Sequence, residues 1–417
     1  MSRMASGCLA PQAWFVTRFI HAAMLSSDSV RMLRFSPFSA RFTCVLALGS
    51  AVSLISGCNH FKPKALTHYV YVTAKGTFLR DRIAAVSNRT GNVVNGQRLE
   101  ILEQNRRFYR VKTDNGEIGW IDERAVATEK IADAFEQLQK DHENDAVVAT
   151  GTVSDDVYLH ISPGTLTDRF YRLADGDKLK LLQRASIQKP LPPGQTVESM
   201  ARAKGIQVKE GEVLKPPMQD WWLVRDTKNH TGWMTSGLLN TDVPEAISRY
   251  AEGQRIVGAY IINKVIDPEI EGASKEVPQY VTVTSPYEAG LPYDFNQVRV
   301  YSWNLKRHRY ETANRDRNIL GYFPVKIASD PGTPAHDRLP GTGPAPTYIY
   351  TVLAAGAPVP QADANGQIRV PKGQLVTKTY RLEGNITRRV LPAGTQPPAE
   401  AQLQPVEKKE KAGKKRR

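Results

Sequence analysis

Residues 108–121 run Phe108-Tyr109-Arg110-Val111-Lys112-Thr113-Asp114-Asn115-Gly116-Glu117-Ile118-Gly119-Trp120-Ile121. The first five are aromatic, β-branched or long, as strands prefer. Asp114-Asn115-Gly116 tolerates a left-handed backbone, so the chain turns back on itself. Glu117 to Ile121 returns as the partner strand. Working outward, Tyr69–Thr73, Thr77–Arg80 and Leu99–Leu102 predict further short strands, with Asn95-Gly96 as another turn after Val93-Val94. Ala125-Val126 closes the unit. Five short strands in roughly 60 residues predict a small barrel over residues 68–128.

The pattern recurs. Trp221-Trp222-Leu223-Val224 matches Phe108 to Val111, and Thr231-Gly232-Trp233-Met234 matches Ile118 to Ile121. Val224 follows Val111, and Trp233 follows Trp120, by the same 113 positions. Val157-Tyr158-Leu159-His160 stands for Thr77 to Arg80, and Asp175-Gly176-Asp177 for Asn95-Gly96-Gln97. A second, degenerate barrel is predicted over residues 146–242, with a loop insertion at 184–219. The insertion holds Pro190, Pro192, Pro193, Pro216 and Pro217 around a short helix, Val197–Lys204, that Thr196 would cap. Between the barrels, Ile131, Ala134, Phe135 and Leu138 repeat at helical spacing, so 129–145 reads as an amphipathic linker helix.

The order of parts resembles the bacterial SH3-like domain of cell-envelope proteins. The resemblance rests on Phe78-Leu79-Arg80 near the start, Gly96 before a strand, the aromatic strand ending at Val111, and Gly119-Trp120-Ile121. It implies a barrel that the Gly-Trp segment helps to pack. Beyond residue 242 the signature stops. Pro244–Arg255 predicts a helix opened by Pro. Then come Ile256–Ile266, Tyr280–Thr284, Val298–Trp303, Arg309–Thr312, Ile319–Ile327, Tyr348–Leu353 and Leu375–Leu382, with a Pro- and Gly-rich loop or hinge at Asp330–Pro346. Residues 243–391 therefore predict an antiparallel sandwich or open barrel. Residues 392–417 read as a disordered basic tail. The fold class is mainly β: two small SH3-like barrels joined by a helix, then a third β-rich domain.

Phe42 to Cys58 is uncharged and too short to span a membrane as a helix, which takes about 20 apolar residues. Arg34 and Arg41 precede it. Its end, Ile55-Ser56-Gly57-Cys58, resembles the lipobox of bacterial lipoproteins. That resemblance implies a signal peptide over 1–58 with its start at Met32, a lipidated Cys58 carrying palmitate-type acyl chains, and a tether over 59–67. An ordinary cleaved signal is the alternative. Asn59, not Asp, follows the Cys, which in lipoproteins permits transfer to an outer membrane. The expected location is the bacterial cell envelope, lipid-anchored in the outer membrane and facing the periplasm.

Cysteine occurs at positions 8, 44 and 58. A body starting at Cys58 has no disulfide and depends on core burial. Of the net charge of +14, residues 1–58 hold five Arg against one Asp, and Glu407–Arg417 holds seven Lys or Arg against two Glu. The body is thus only mildly basic, which argues against a nucleic-acid partner.

No nucleophile elbow, zinc helix or phosphate loop is present, and a cysteine peptidase is excluded because no Cys follows Cys58. No cofactor or metal is expected. His308 lies among Lys306, Arg307 and Arg309, which would disfavour its charged form. Asp267 and Glu269 read as solvated loop acids. The expected function is non-catalytic binding of peptidoglycan or peptide ligands, alternatively docking of another envelope protein as a structural or assembly factor. Candidate ligand contacts are Tyr71, Tyr109, Tyr158 and Trp222, with Arg110 to meet carboxylates. Of each adjacent pair, Phe108/Tyr109 and Trp221/Trp222, one side chain should face the core and one should face out. Trp120 and Trp233 read as core. Segment 301–311 reads as a hairpin that could dock an acidic partner.

Overall fold

The computed structural model describes residues 68–203, 205, 214–330 and 345–404. The lipobox, Cys58 and the basic end lie outside the described residues. Seven strands make the first sheet: β1 (Tyr69–Val72), β2 (Gly76–Arg80), β3 (Arg89–Val94), β4 (Arg98–Asn105), β5 (Phe108–Lys112), β6 (Ile118–Asp122) and β7 (Val126–Thr128). Their order is β3-β2-β6-β5-β4-β1-β7. Two more strands form than the five expected. The first half of β3 was hidden because it is an edge strand and carries polar residues, Arg89, Thr90 and Asn92, that stay exposed. Val70, Val72, Leu79, Val93, Leu99, Val111 and Ile121 fill the interior.

A helix, α1 (Glu129–Asp141), leads to the second sheet: β8 (Ala149–Val153), β9 (Val157–His160), β10 (Arg169–Leu173), β11 (Lys178–Gln188), β12 (Met218–Arg225), β13 (Thr231–Thr235) and β14 (Leu239–Thr241). Its order, β10-β9-β13-β12-β11-β8-β14, is that of the first sheet shifted by seven strands. The Gly of each Gly-Trp pair has a steric cause. A Cβ at Gly119 would lie 2.7 Å from Leu79 Cβ, and one at Gly232 would lie 2.7 Å from Leu159 Cβ. Only glycine lets β6 close on β2, and β13 on β9.

The insertion is less of a loop than expected. β11 and β12 stay paired out to Gln188 opposite Met218, so it begins as a longer hairpin. Its helix spans Val197–Ala203. The Ser199 amide donates to Thr196 Oγ1 at 3.2 Å, and the Thr196 amide donates to Ser199 Oγ at 2.9 Å, a reciprocal cap. α1 is no free linker: Phe135 is buried in the second core and Leu138 packs beside Trp221 and Trp233.

The third sheet pairs in chain order: β15 (Arg255–Ile266), β16 (Glu276–Ser285), β17 (Phe295–Asn304), β18 (Arg309–Asp330), β19 (Ala345–Leu353), β20 (Leu375–Glu383) and β21 (Ile386–Arg389). It is one curled antiparallel sheet, an open half-barrel rather than two stacked sheets, with one main core and smaller apolar clusters beside it. The helix expected from Pro244 to Arg255 is short. It spans Glu245–Ser248 and gives way to a 3-10 turn that stops where Glu252 takes φ 54°.

Two strands expected around a polar break, 313–318, are one strand, β18. Asn314 and Asp316 face inward and are paired there, while Arg317 and Asn318 stay exposed. Tyr350 Oη donates to Asp316 at 2.6 Å, and Asn314 donates to Tyr348 Oη at 2.8 Å. Lys378, 2% exposed, bonds both Asp316 and Glu400. Glu400 belongs to the stretch read as a free tail. Residues 399–403 instead dock on the sheet: Ala401 donates its amide to Leu353 and Leu403 donates to Asn318. Most of the expected 330–346 hinge lies outside the described residues.

His308 corrects the charge argument made from its neighbours in sequence. At the β17–β18 tip, its Nδ1 lies 2.7 Å from Asp267 and its Nε2 lies 2.9 Å from Glu269. Both ring nitrogens can donate only if the imidazole is protonated, so the hydrogen bond to Asp267 and the two carboxylate charges raise its pKa above 6.5. Burial works against the Asp267 charge, yet donors from Trp303, His308 and the Glu269 amide hold its pKa below 3.8. The signs differ. The His308 contribution is complete below pH 6.5 and fades as pH rises through the raised value. The Asp267 contribution is complete above pH 3.8 and fades as pH falls through the lowered value. The clamp is therefore whole from about pH 4 to 6.5. An NMR titration should place the His308 midpoint above that of a free imidazole, and Asp267→Asn should return it toward the ordinary value. A midpoint unmoved by Asp267→Asn would refute the clamp.

Candidate functional site

In the first barrel, Leu79, Val111 and Ile121 point inward, so their neighbours point out. Register then assembles one row on the outer face. Glu103 is opposite Arg110, Arg110 opposite Trp120, Trp120 opposite Arg80, and Arg80 opposite Arg89. Phe78 lies two residues from Arg80 on the same face. The Arg89 guanidinium sits 4.2 Å from the Phe78 ring centre and that of Arg80 sits 5.0 Å away. Phe78, Arg80 and Trp120 are half-buried; Arg89 and Arg110 are exposed. Arg110 is 3.7 Å from Glu103. Among the described residues, neither Arg80 nor Arg89 has a carboxylate within ion-pair distance; Arg80 donates only to Ser87 Oγ at 3.1 Å. Guanidinium planes laid on a ring leave their N–H edges free for an incoming carboxylate.

The same row exists in the second barrel with different residues. Gln183 is opposite Leu223, Leu223 opposite Trp233, Trp233 opposite His160, and His160 opposite Arg169. Here the row is closed. Leu223 and Trp233 are buried in a cluster with Leu182, Ala185 and Trp221, and Leu138 of α1 packs against it. His160 meets Trp221 edge-on at 5.2 Å, and burial lowers its pKa. Only the end of the row persists: Arg169 lies 4.6 Å over Tyr158, as Arg89 lies over Phe78.

Each barrel matches a domain family. Residues 75–127 match the bacterial SH3 domain, and residues 139–240 match the GW (Gly-Tryp) dipeptide domain. No curated protein matches the chain. Among solved structures, the chain is similar to NlpC2 from Trichomonas vaginalis at 7% identity and a TM-score of 0.14, covering 60% of this chain and 97% of that one. Likeness at that level carries no argument. The Gly119-Trp120 pair lies in the SH3 match, and Gly232-Trp233 lies in the GW match.

The structure distributes the sequence candidates widely. Arg110 lies in the SH3-matching barrel's open row. Tyr109 does not: it is opposite Ile121 and packs against the first core, so Phe108 is the outward member of that pair. Tyr71 packs edge-to-face on Phe170 of the GW-matching barrel at 5.9 Å and joins the two barrels. Tyr158 holds the Arg169 stack. Trp222 is not outward. It is 4% exposed and meets Phe323 of the third sheet at 5.7 Å, beside a cavity of about 290 Å³ that also touches Val148, Leu182 and Ile368. Trp221 is buried as well, because neighbouring segments cover the face that alternation would leave wet. Phe78, Arg80, Arg89 and Trp120 were missed as a group. Applying the period of two from Leu79 and Ile121 outward finds Phe78, Arg80 and Trp120; Arg89 joins them only through a register shift between β2 and β3.

Proposed function

We propose that this protein is a non-catalytic component of the bacterial cell envelope, anchored by lipid at Cys58, whose first barrel binds peptidoglycan through the carboxylates of its stem peptides. The observation that carries this reading is the open row Arg110–Trp120–Arg80–Arg89, set against the closed row in the second barrel. Two guanidiniums without internal carboxylate partners, stacked on and beside aromatic rings, suit an acidic peptide. Matches to a bacterial SH3 domain and a GW domain support a cell-wall ligand. A body without cysteine supports binding over thiol chemistry. The second barrel then serves as a rigid support, and the third sheet holds it from the other side. The outer membrane, facing the periplasm, is the proposed location.

The test uses the chain from Asn59 onward and purified sacculi. Sedimentation should retain the parent protein and release it as salt rises, since exposed charge pairs are screened. Retention should fall about tenfold with Trp120→Ala, which removes the central ring of the row. Failure of the parent to sediment would end the peptidoglycan reading.

A further inference from the structure

The hairpin 301–311 takes no part in the first barrel's row. Trp303 is opposite Tyr310 and Asn304 is opposite Arg309. The Trp303 and Tyr310 rings meet edge to face, with centres 4.9 Å apart at 77°, and Tyr280 stands 6.2 Å beyond Tyr310. This cluster, with Tyr301 and Ile247, is separate from the main core of the third sheet. Trp303 and Tyr310 are half-buried, so part of each ring still meets solvent. Both are fixed: Trp303 Nε1 donates to Asp267 at 2.7 Å, and Tyr310 Oη donates to the Pro278 carbonyl at 2.9 Å. Rings already held in place bind with little further loss of rotamer freedom.

Of the charges that suggested an acidic partner, Arg307, His308 and Arg309 are paired with carboxylates, while Lys306 is exposed. Arg307 lies 3.0 Å and Arg309 3.4 Å from Glu311. His308 is shared by Asp267 and Glu269. Asn304 donates to Glu311 at 2.8 Å. A fixed aromatic pair ringed mostly by paired polar groups offers little to a strong anion. It suits a neutral polyhydroxylated ligand. The weakly positive C–H face of a pyranose meets the negative ring face, and carboxylate and guanidinium edges exchange hydrogen bonds with hydroxyls.

We propose that the β17–β18 hairpin of the third sheet is a saccharide-binding site, independent of the first barrel's cationic row. Its choice of glycan rests on the peptidoglycan reading: the hairpin takes the sugar strand, and the barrel takes the peptide. The probe is an N-acetylglucosamine tetrasaccharide, which carries no peptide, titrated into the chain from Asn59 onward by calorimetry. Binding should occur, weaken at least tenfold with Trp303→Ala, and survive with Trp303→Phe, which keeps a ring. Trp120→Ala should leave it unchanged. Thermal unfolding checks that Trp303→Ala stays folded; were it unfolded, Arg307→Glu, which unbalances the rim charge, should weaken binding instead. No binding by the folded parent protein, or equal binding by folded Trp303→Ala, overturns the proposal. Loss of sacculus retention with Trp120→Ala while tetrasaccharide binding persists separates failure of the two sites.

Discussion

Replacing Arg184 with Met should lower stability by about 3–5 kcal/mol, because it strips Asp294 of its counter-charge and leaves buried Asp220 only Arg255, 3.9 Å away. Arg184 stands on β11 with its side chain 9% exposed. Its Nη1 is 3.3 Å from Asp220, and its Nε is 3.0 Å from Asp294 near the start of β17. Its Nη2 donates to the carbonyls of Leu291 and Tyr293 at 2.8 and 2.7 Å. One guanidinium therefore ties the second barrel to the third sheet through three acceptors, while also pairing with Asp220 of its own barrel. Met has a similar stem but satisfies none of them. Lys keeps the charge yet cannot fork, so Arg184→Lys should fall between Met and the parent. The exposed pair Lys264–Glu276, 2.8 Å apart, is the control: Glu276→Gln should cost less than about 1 kcal/mol. Urea unfolding measures all of these. If Arg184→Met is as mild as Glu276→Gln, Arg184 does not hold the junction.

The second large effect is on binding. Arg80→Glu together with Arg89→Glu should reduce sacculus retention about 100-fold, since each reversal removes one charge-assisted hydrogen bond and adds repulsion. Stability should change little, because each stack on an exposed ring contributes only about 0.5–1 kcal/mol. The equivalent stack in the second barrel gives the comparison. Arg169→Glu removes the nearer of the two guanidiniums over Tyr158 but touches a row that is otherwise covered. It should leave retention within about threefold, or about 0.7 kcal/mol. Equal losses from both barrels would mean that the closed row binds too.

How far the sequence led depends on the residues in question. Turn chemistry and alternation were legible: Asn95-Gly96 and Asp114-Asn115-Gly116 turn where expected, with Gly96 and Gly116 at φ 81° and 86°. The offset of 113 marked a hairpin repeat, and the two sheets share one strand order. What failed was whatever depended on a distant segment. Trp222 looked free because Phe323, about a hundred residues later, was not in view. The polar stretch in β18 looked like a break because Lys378, which neutralises Asp316 and is shared with Glu400, comes far downstream. His308 looked repelled by its neighbours because Asp267 reaches it from another hairpin. Trp120 read as core because so small a barrel needs aromatics to fill its interior, although Leu79 and Ile121 already fixed its direction outward. Local rules set the strands; long-range pairing decided which faces stayed wet.

The most direct measurement is NMR of the chain from Asn59 onward, titrated with soluble stem-peptide muropeptides and read at the tryptophan indoles and backbone amides. Shifts should gather at the Trp120 indole and at the amides of Arg80, Arg89 and Arg110, with the buried indoles of Trp222 and Trp233 unmoved. Shifts confined to the second barrel, or none at saturating ligand, would contradict an open cationic row as the place where this protein holds the cell wall.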